Sequence, residues 1–135
     1  MVQIPVIRVM EKKIINTKNA PAPIGPYNQA VLVNGTLYIS GQVCIDPQSG
    51  NLKNRDIEDE THQVMQNLKT ILTEAGMTFG NVVKTTIFIT DMNQFSAINE
   101  IYGKYFSGNF PARETVQVSA LPKFVNIEIS MIAVQ

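Results

Sequence analysis

The amino-acid sequence predicts an α+β protein in which one β-sheet is covered on one face by two helices. Three observations carry this expectation. The chain has 135 residues, the size of one ordinary domain. Short runs rich in β-branched and apolar residues fill its first third, whereas from Asp56 apolar residues recur at intervals of three and four. The order that results is three strands, helix, strand, helix and two strands. Only 16% of the residues are charged, against roughly 25% in typical soluble domains. So little charge implies that part of the surface is buried against another subunit.

Lys12 to Asn16 is a short strand candidate. Asn19 to Pro26 holds three prolines and a glycine, which forbid regular structure and make a stiff loop. Gln29 to Val33 and Thr36 to Ser40 are strands joined by Asn34-Gly35, a hairpin signal. The second strand is expected to run on through Gly41 to Ile45, ending at the turn Asp46 to Gly50, and Gly41 within it suggests a bulge or a close backbone approach. Ile57, Thr61, Val64, Leu68, Ile71, Leu72 and Ala75 then share one helix face, with Asp56 as N-cap, Glu58, Asp59 and Glu60 complementing the dipole, and Gly76 as the stop. Val82 to Ile89 reads as a strand apolar on both faces, so oligomerisation through the sheet is expected. Asp91 or Asn93 caps a second helix carrying Phe95, Ile98, Tyr102 and Phe106, which Gly108 ends. Glu114 to Ala120 and Asn126 to Val134 are the last two strands.

Eleven basic and eleven acidic residues give zero net charge with no long basic cluster, which argues against holding a nucleic-acid backbone. One cysteine, Cys44, cannot form an internal disulfide and fits a small core residue. No run of about 18 apolar residues exists to span a bilayer. The apolar start, Met1 to Met10, contains Pro5 and Arg8 and lacks a small-residue cleavage site, so it reads as an extension rather than a signal peptide. A cytoplasmic protein is the default expectation, with organellar import left open.

Few residues offer chemistry. Arg113 is one of three arginines and stands at a strand entrance after Phe110-Pro111-Ala112. Its planar fork suits either a substrate carboxylate or an internal salt bridge. Glu128 lies among apolar residues; if Ile127, Ile129, Met131 and Ala133 face one side, it shares the other with Ser130, Ile132 and Val134. It is either a carboxyl of raised pKa able to act as acid or base, or a surface glutamate on an alternating strand. Should the last two strands form a hairpin around Leu121 to Val125, Arg113 and Glu128 would be too far apart in one subunit, and a shared site would need an interface. His62, the sole histidine, fits a solvated helix position and no metal site. Ser40 lacks a nucleophile-elbow context and fits a hydrogen-bonding role at a bulge.

Ile24 to Ala30 (IGPYNQA), Tyr38 to Gln42 (YISGQ), Val83 to Phe88 (VKTTIF), Phe110 to Arg113 (FPAR), Leu121 to Lys123 (LPK) and Ile127 to Ile129 (IEI) resemble the RidA (YjgF-like) reactive-intermediate deaminases. The likeness runs in order from Met10 to Gln135, setting residues 1–9 apart as an N-terminal extension and 10–135 as a single RidA-like domain. It implies a chorismate-mutase-like fold of ferredoxin-like topology with one mixed sheet, a homotrimer, and active sites in the clefts between subunits. It also implies hydrolysis of enamine and imine acids (2-aminoacrylate/2-iminopropanoate, 2-iminobutanoate) to 2-oxo acids and ammonia, with no cofactor and no metal. On matching positions, Arg113 would grip the substrate carboxylate and Glu128 would position or activate water. Tyr27, Ser40, Gly41 and Asn99 would line the pocket. Thr115 stands where many members have a cysteine, so a covalent thiol role there does not apply and an effect on substrate preference is expected. The competing readings are a non-catalytic trimer that binds a 2-oxo acid and, disfavoured by the neutral charge, an endoribonuclease.

Overall fold

A two-residue hairpin loop needs positive φ at both positions, and Asn34 (φ 51°) and Gly35 (φ 78°) supply it. They join β2 (Ala30–Val33) to β3 (Thr36–Gln42), with Val33 opposite Thr36. The computed structural model describes Val2 and residues 10–135. The extension expected over residues 1–9 therefore lies, Val2 apart, outside the described residues. Upstream, β1 (Lys13–Ile15) pairs antiparallel with β2, and the proline-rich segment between them is irregular.

The remaining strands are β4 (Val82–Ile89), β5 (Ala112–Gln117) and β6 (Ile127–Val134). The sheet order is β1-β2-β3-β6-β4-β5. Only β4 and β5 run parallel, so the sheet is mixed. Two helices, α1 (Ile57–Glu74) and α2 (Phe95–Gly103), cover one face. Asp56 caps α1 by accepting the Asp59 N–H at 2.7 Å. Its other end closes in a Schellman arrangement, the Met77 N–H donating to Leu72 O at 2.8 Å and the Gly76 N–H to Thr73 O at 2.9 Å. Val64, Leu68, Ile71 and Leu72 of α1 are fully buried in one cluster with Leu37, Ile87, Ile127 and Ile129 of the sheet. Burying each such side chain contributes about 1.5–3 kcal/mol, enough to hold the helix where propensity alone would not.

Four expectations need correction. The last two strands do not form a hairpin: β6 inserts between β3 and β4, while β5 lies at the edge beside β4. Parallel neighbours need a crossover, and α2 between β4 and β5 supplies it. Strand β3 stops at Gln42 rather than Ile45, because the pairing with β6 shifts register between Ile39 and Gln42 and the chain then leaves the sheet. Asn67 of α1 takes over, its amide donating to Val43 O (3.0 Å) and Ile45 O (2.9 Å). Helix α2 ends at Gly103, not Gly108: the N–H groups of Lys104, Tyr105 and Phe106 bond three residues back, and the tightened chain packs Phe106 against Tyr102 and Phe79. Lastly, β4 buries one face only. Val82, Thr85, Ile87 and Ile89 face the helices, whereas Val83 is 48% exposed, and Tyr38, Val116 and Val134 are likewise exposed.

Candidate active site

Glu128 stands on the helix-free face because β6 alternates: Ile127, Ile129, Met131 and Ala133 are buried beneath the helices and the residues between them are not. The β-bulge at Ser40-Gly41 brings β3 against its side chain. A Cβ on Gly41 would collide with the Glu128 carboxylate and sit 2.7 Å from its Cδ, so a glycine is required for the approach. Both possibilities raised for Gly41, a bulge and a close contact, are met at once. Burial pushes the Glu128 carboxyl above its ordinary value. The alternation that could have made it a bland surface glutamate instead sets it in a cavity of about 370 Å3 with Tyr27, Ser40, Gly41 and Pro122.

The Ser40 hydroxyl donates to Asn28 O at 2.6 Å, which leaves its lone pairs but not its proton for a ligand. It makes a hydrogen bond at a bulge, as its context suggested. Tyr27 is fixed by its own loop, its hydroxyl accepting the Ile24 N–H at 3.3 Å. That loop is in turn held by Gln29, which is 1% exposed: its amide nitrogen donates to Thr17 O and Pro21 O, both at 2.9 Å, and its oxygen accepts the Thr17 N–H at 2.7 Å. The stiff loop thus presents its residues through one buried amide.

Arg113 lies elsewhere. It is opposite Thr85 on β5, facing α2, with its guanidinium carbon 5.1 Å from the Tyr102 ring centre and 5.6 Å from that of Phe95. Tyr102 is anchored by donating its hydroxyl proton to Thr85 Oγ1 at 3.1 Å, and burial raises its phenol pKa. The described residues hold no acidic partner for the Arg113 guanidinium within salt-bridge distance; Glu114, its neighbour, pairs with Lys84 at 2.6 Å on the opposite face. The internal salt bridge weighed from sequence is therefore not formed. Arg113 and Asn99 line a second cavity of about 280 Å3 with Gly103, Phe110 and Pro111. Thr115, two residues on and on the same face of β5, has a buried Oγ1 with no hydrogen-bond partner among the described residues. Such an orphan costs about 1–3 kcal/mol until something bonds it.

The seven candidate residues therefore form two groups, Tyr27, Ser40, Gly41 and Glu128 in one and Asn99, Arg113 and Thr115 in the other. Glu128 is opposite Phe88 on β4 and Arg113 opposite Thr85, three residues away or roughly 10 Å along the strand, and the two side chains leave opposite faces of the sheet. Gln29, Tyr102 and Phe110 were not singled out as site residues from sequence. A buried amide strut and an aromatic platform have no local signature, since each is defined by what folds against it.

The chain is similar to known proteins over nearly its whole length. The Endoribonuclease L-PSP family matches residues 17–135. Human 2-iminobutanoate/2-iminopropanoate deaminase is 51% identical over 124 residues, covering 92% of this chain and 90% of that protein. Among solved structures, YyfA of the conserved Rid protein family from Yersinia pestis is 53% identical with a TM-score of 0.90, covering 93% of this chain and 100% of that one. TdcF of E. coli, crystallised with bound serine, is 42% identical with a TM-score of 0.88, covering 91% and 98%. The chain belongs to the Endoribonuclease L-PSP family, the RidA (YjgF-like) group that its motifs resemble.

Proposed function

We propose that this protein is a 2-iminobutanoate/2-iminopropanoate deaminase, hydrolysing small enamine and imine acids to 2-oxo acids and ammonia. The observation that carries the reading is Glu128, a half-buried carboxyl of raised pKa held against a bulged glycine in a cavity, in a chain half identical to deaminases over nearly its whole length. Residues 10–135 act as the single RidA-like domain, preceded by the extension.

The chemistry needs little more than these parts. An iminium carbon is already electrophilic, so water adds to it as the C=N π electrons move to nitrogen. The carbinolamine then collapses: its O–H electrons form C=O as the C–N bond breaks, and the hydroxyl proton leaves with the ammonia as ammonium. Glu128 takes the proton from water and returns it to the leaving nitrogen, a role for which a carboxyl titrating nearer neutrality is suited. Arg113 holds the substrate carboxylate, and Tyr27, Ser40, Gly41, Asn99 and Thr115 fix its orientation.

These groups leave opposite faces of one sheet, so one chain cannot close them on a three- or four-carbon substrate. We infer that the working unit is a homotrimer of the chorismate-mutase-like kind, in which Arg113 of one copy faces Glu128 of the next. The exposed apolar residues of the open sheet face, Tyr38, Val83 and Val134, support burial there. Concave sites of this size and a formal net charge of zero favour a small acid over an RNA strand.

The test generates 2-aminoacrylate or 2-iminobutanoate in place with a dehydratase or an amino-acid oxidase and follows imine loss with semicarbazide as trap. Accelerated loss that vanishes in Arg113→Ala is the expected result. No acceleration from the folded protein, across several imines, would overturn the reading in favour of a 2-oxo-acid-binding protein.

A further inference from the structure

Glu60 has no part in the site described above, yet it is the one acidic side chain among the described residues that is buried completely. Its Oε2 accepts the backbone N–H groups of Asn126 (2.7 Å) and Ile127 (3.0 Å), and its Oε1 accepts Asn126 Nδ2 at 2.8 Å. Asn126 and Ile127 are the two residues that lead into Glu128. The bonding has a clear cause. The ladder between β3 and β6 ends at Gln42 opposite Ile129, because the Ser40-Gly41 bulge turns β3 away. The entry to β6 thus lacks a strand on that side, and the carboxylate reaching from the first turn of α1 takes the place of one. Charge-assisted hydrogen bonds to two successive backbone amides fix a segment more firmly than neutral ones.

We propose that Glu60 is the positioning residue for Glu128: by holding the Asn126-Ile127 amides it sets the height at which the Glu128 side chain stands against Gly41. The inference rests on the reading that Glu128 handles the proton of the attacking water. The bulge that admits Glu128 is the same one that deprives β6 of its partner, so the close approach and the carboxylate strap belong together.

The test compares Glu60→Gln, Glu60→Asp and Glu128→Gln in the imine-loss assay, with kcat and KM measured separately and 2-oxo acid affinity as a check on the pocket. Glutamine keeps the length of the side chain; its oxygen can still accept both backbone N–H groups, and the Asn126 amide can turn its oxygen toward the new NH2. Aspartate keeps the charge but is one methylene short, and so pulls the β6 entry toward α1. The expected result is kcat lowered about tenfold or more in Glu60→Asp with KM within about twofold, and kcat restored to within a few-fold in Glu60→Gln. A purely structural strap would lower thermal stability and leave kcat per folded protein unchanged in both, which would overturn the proposal. So would a Glu60→Gln variant slower than Glu60→Asp, since charge rather than position would then matter. Wild-type kcat in Glu128→Gln would instead overturn the reading of Glu128 itself, whereas a slow Glu128→Gln beside an unaffected Glu60→Asp would remove the role of Glu60 alone.

Discussion

Replacing Gly41 by alanine separates activity from stability. The added Cβ would stand 2.7 Å from Cδ and 3.0 Å from Cγ of Glu128. Carbon atoms pack at about 3.5–4.0 Å, so the carboxyl carbon has to withdraw by roughly 1 Å. The three atoms nearest that Cβ all belong to the flexible Glu128 side chain. Gly41 is also not among the residues of positive φ, so alanine adopts its backbone without strain. The fold therefore yields at small cost, and restricting the unfolded chain returns about 0.4–1 kcal/mol. A catalytic group misplaced by that distance loses about a hundredfold in rate. Thermal unfolding and the semicarbazide-trapped assay read the two effects separately: the melting temperature should hold while kcat falls by one to two orders of magnitude. Wild-type turnover in folded Gly41→Ala would refute the reasoning, because Glu128 could then act from somewhere other than the bulge. An unfolded variant would refute it too, by placing the clash on atoms that cannot move.

Arg113→Lys should lose about 1.5–3 kcal/mol of transition-state binding, ten- to more than hundredfold in kcat/KM, because an ammonium cannot reproduce the planar fork or its stacking over Tyr102; unchanged kcat/KM would remove the carboxylate clamp. Glu128→Gln should bind a 2-oxo acid nearly as tightly as wild type, by titration calorimetry, while hydrolysing the imine slowly. The same variant tests the pKa shift. Burial raises the Glu128 carboxyl, so its contribution to stability is present below the unfolded value of about 4.3 and is lost as pH rises through the folded one. The melting temperature of Glu128→Gln should therefore gain on wild type as pH rises above the unfolded carboxyl value, and a constant difference would contradict the shift. Cys44 is fully buried, and its thiol is pushed up to about 11 by burial first and by the charge of Glu60 second. A disulfide reagent should leave it untouched in the native protein near neutral pH and modify it once the chain unfolds.

The hairpin at Asn34-Gly35, the cap at Asp56 and the stop at Gly76 were legible because each is a local rule about φ or an unsatisfied amide. The alternation of β6 likewise placed Glu128 on the face away from Ile127 and Ile129. The insertion of β6 between β3 and β4 was not legible, since strand order is decided by long-range pairing that leaves no mark on the strands themselves. Glu60 shows the same limit from another side. Read locally, it belonged to the acidic first turn of α1, complementing the dipole. Its spacing of three from Ile57 and four from Val64 did set it beside the apolar stripe, and a charge there was the available sign of a buried partner. Which partner, the amides of Asn126 and Ile127, depends on a bulge in a third element. Arg113 was legible as an arginine suited to an anionic partner but not as one seated on Tyr102 and Phe95, because the crossover through α2 sets that platform.

The claim that one site draws on two copies is tested most directly by mixing Arg113→Ala and Glu128→Gln chains, each expected to be slow by itself, through unfolding and joint refolding. In a ring where each site takes Arg113 from one copy and Glu128 from its neighbour, random equimolar assembly makes about a quarter of the sites fully wild type. Recovery of about a quarter of wild-type imine hydrolysis is the expected result. A mixture no more active than the two variants apart would contradict the claim and return both residues to a single chain.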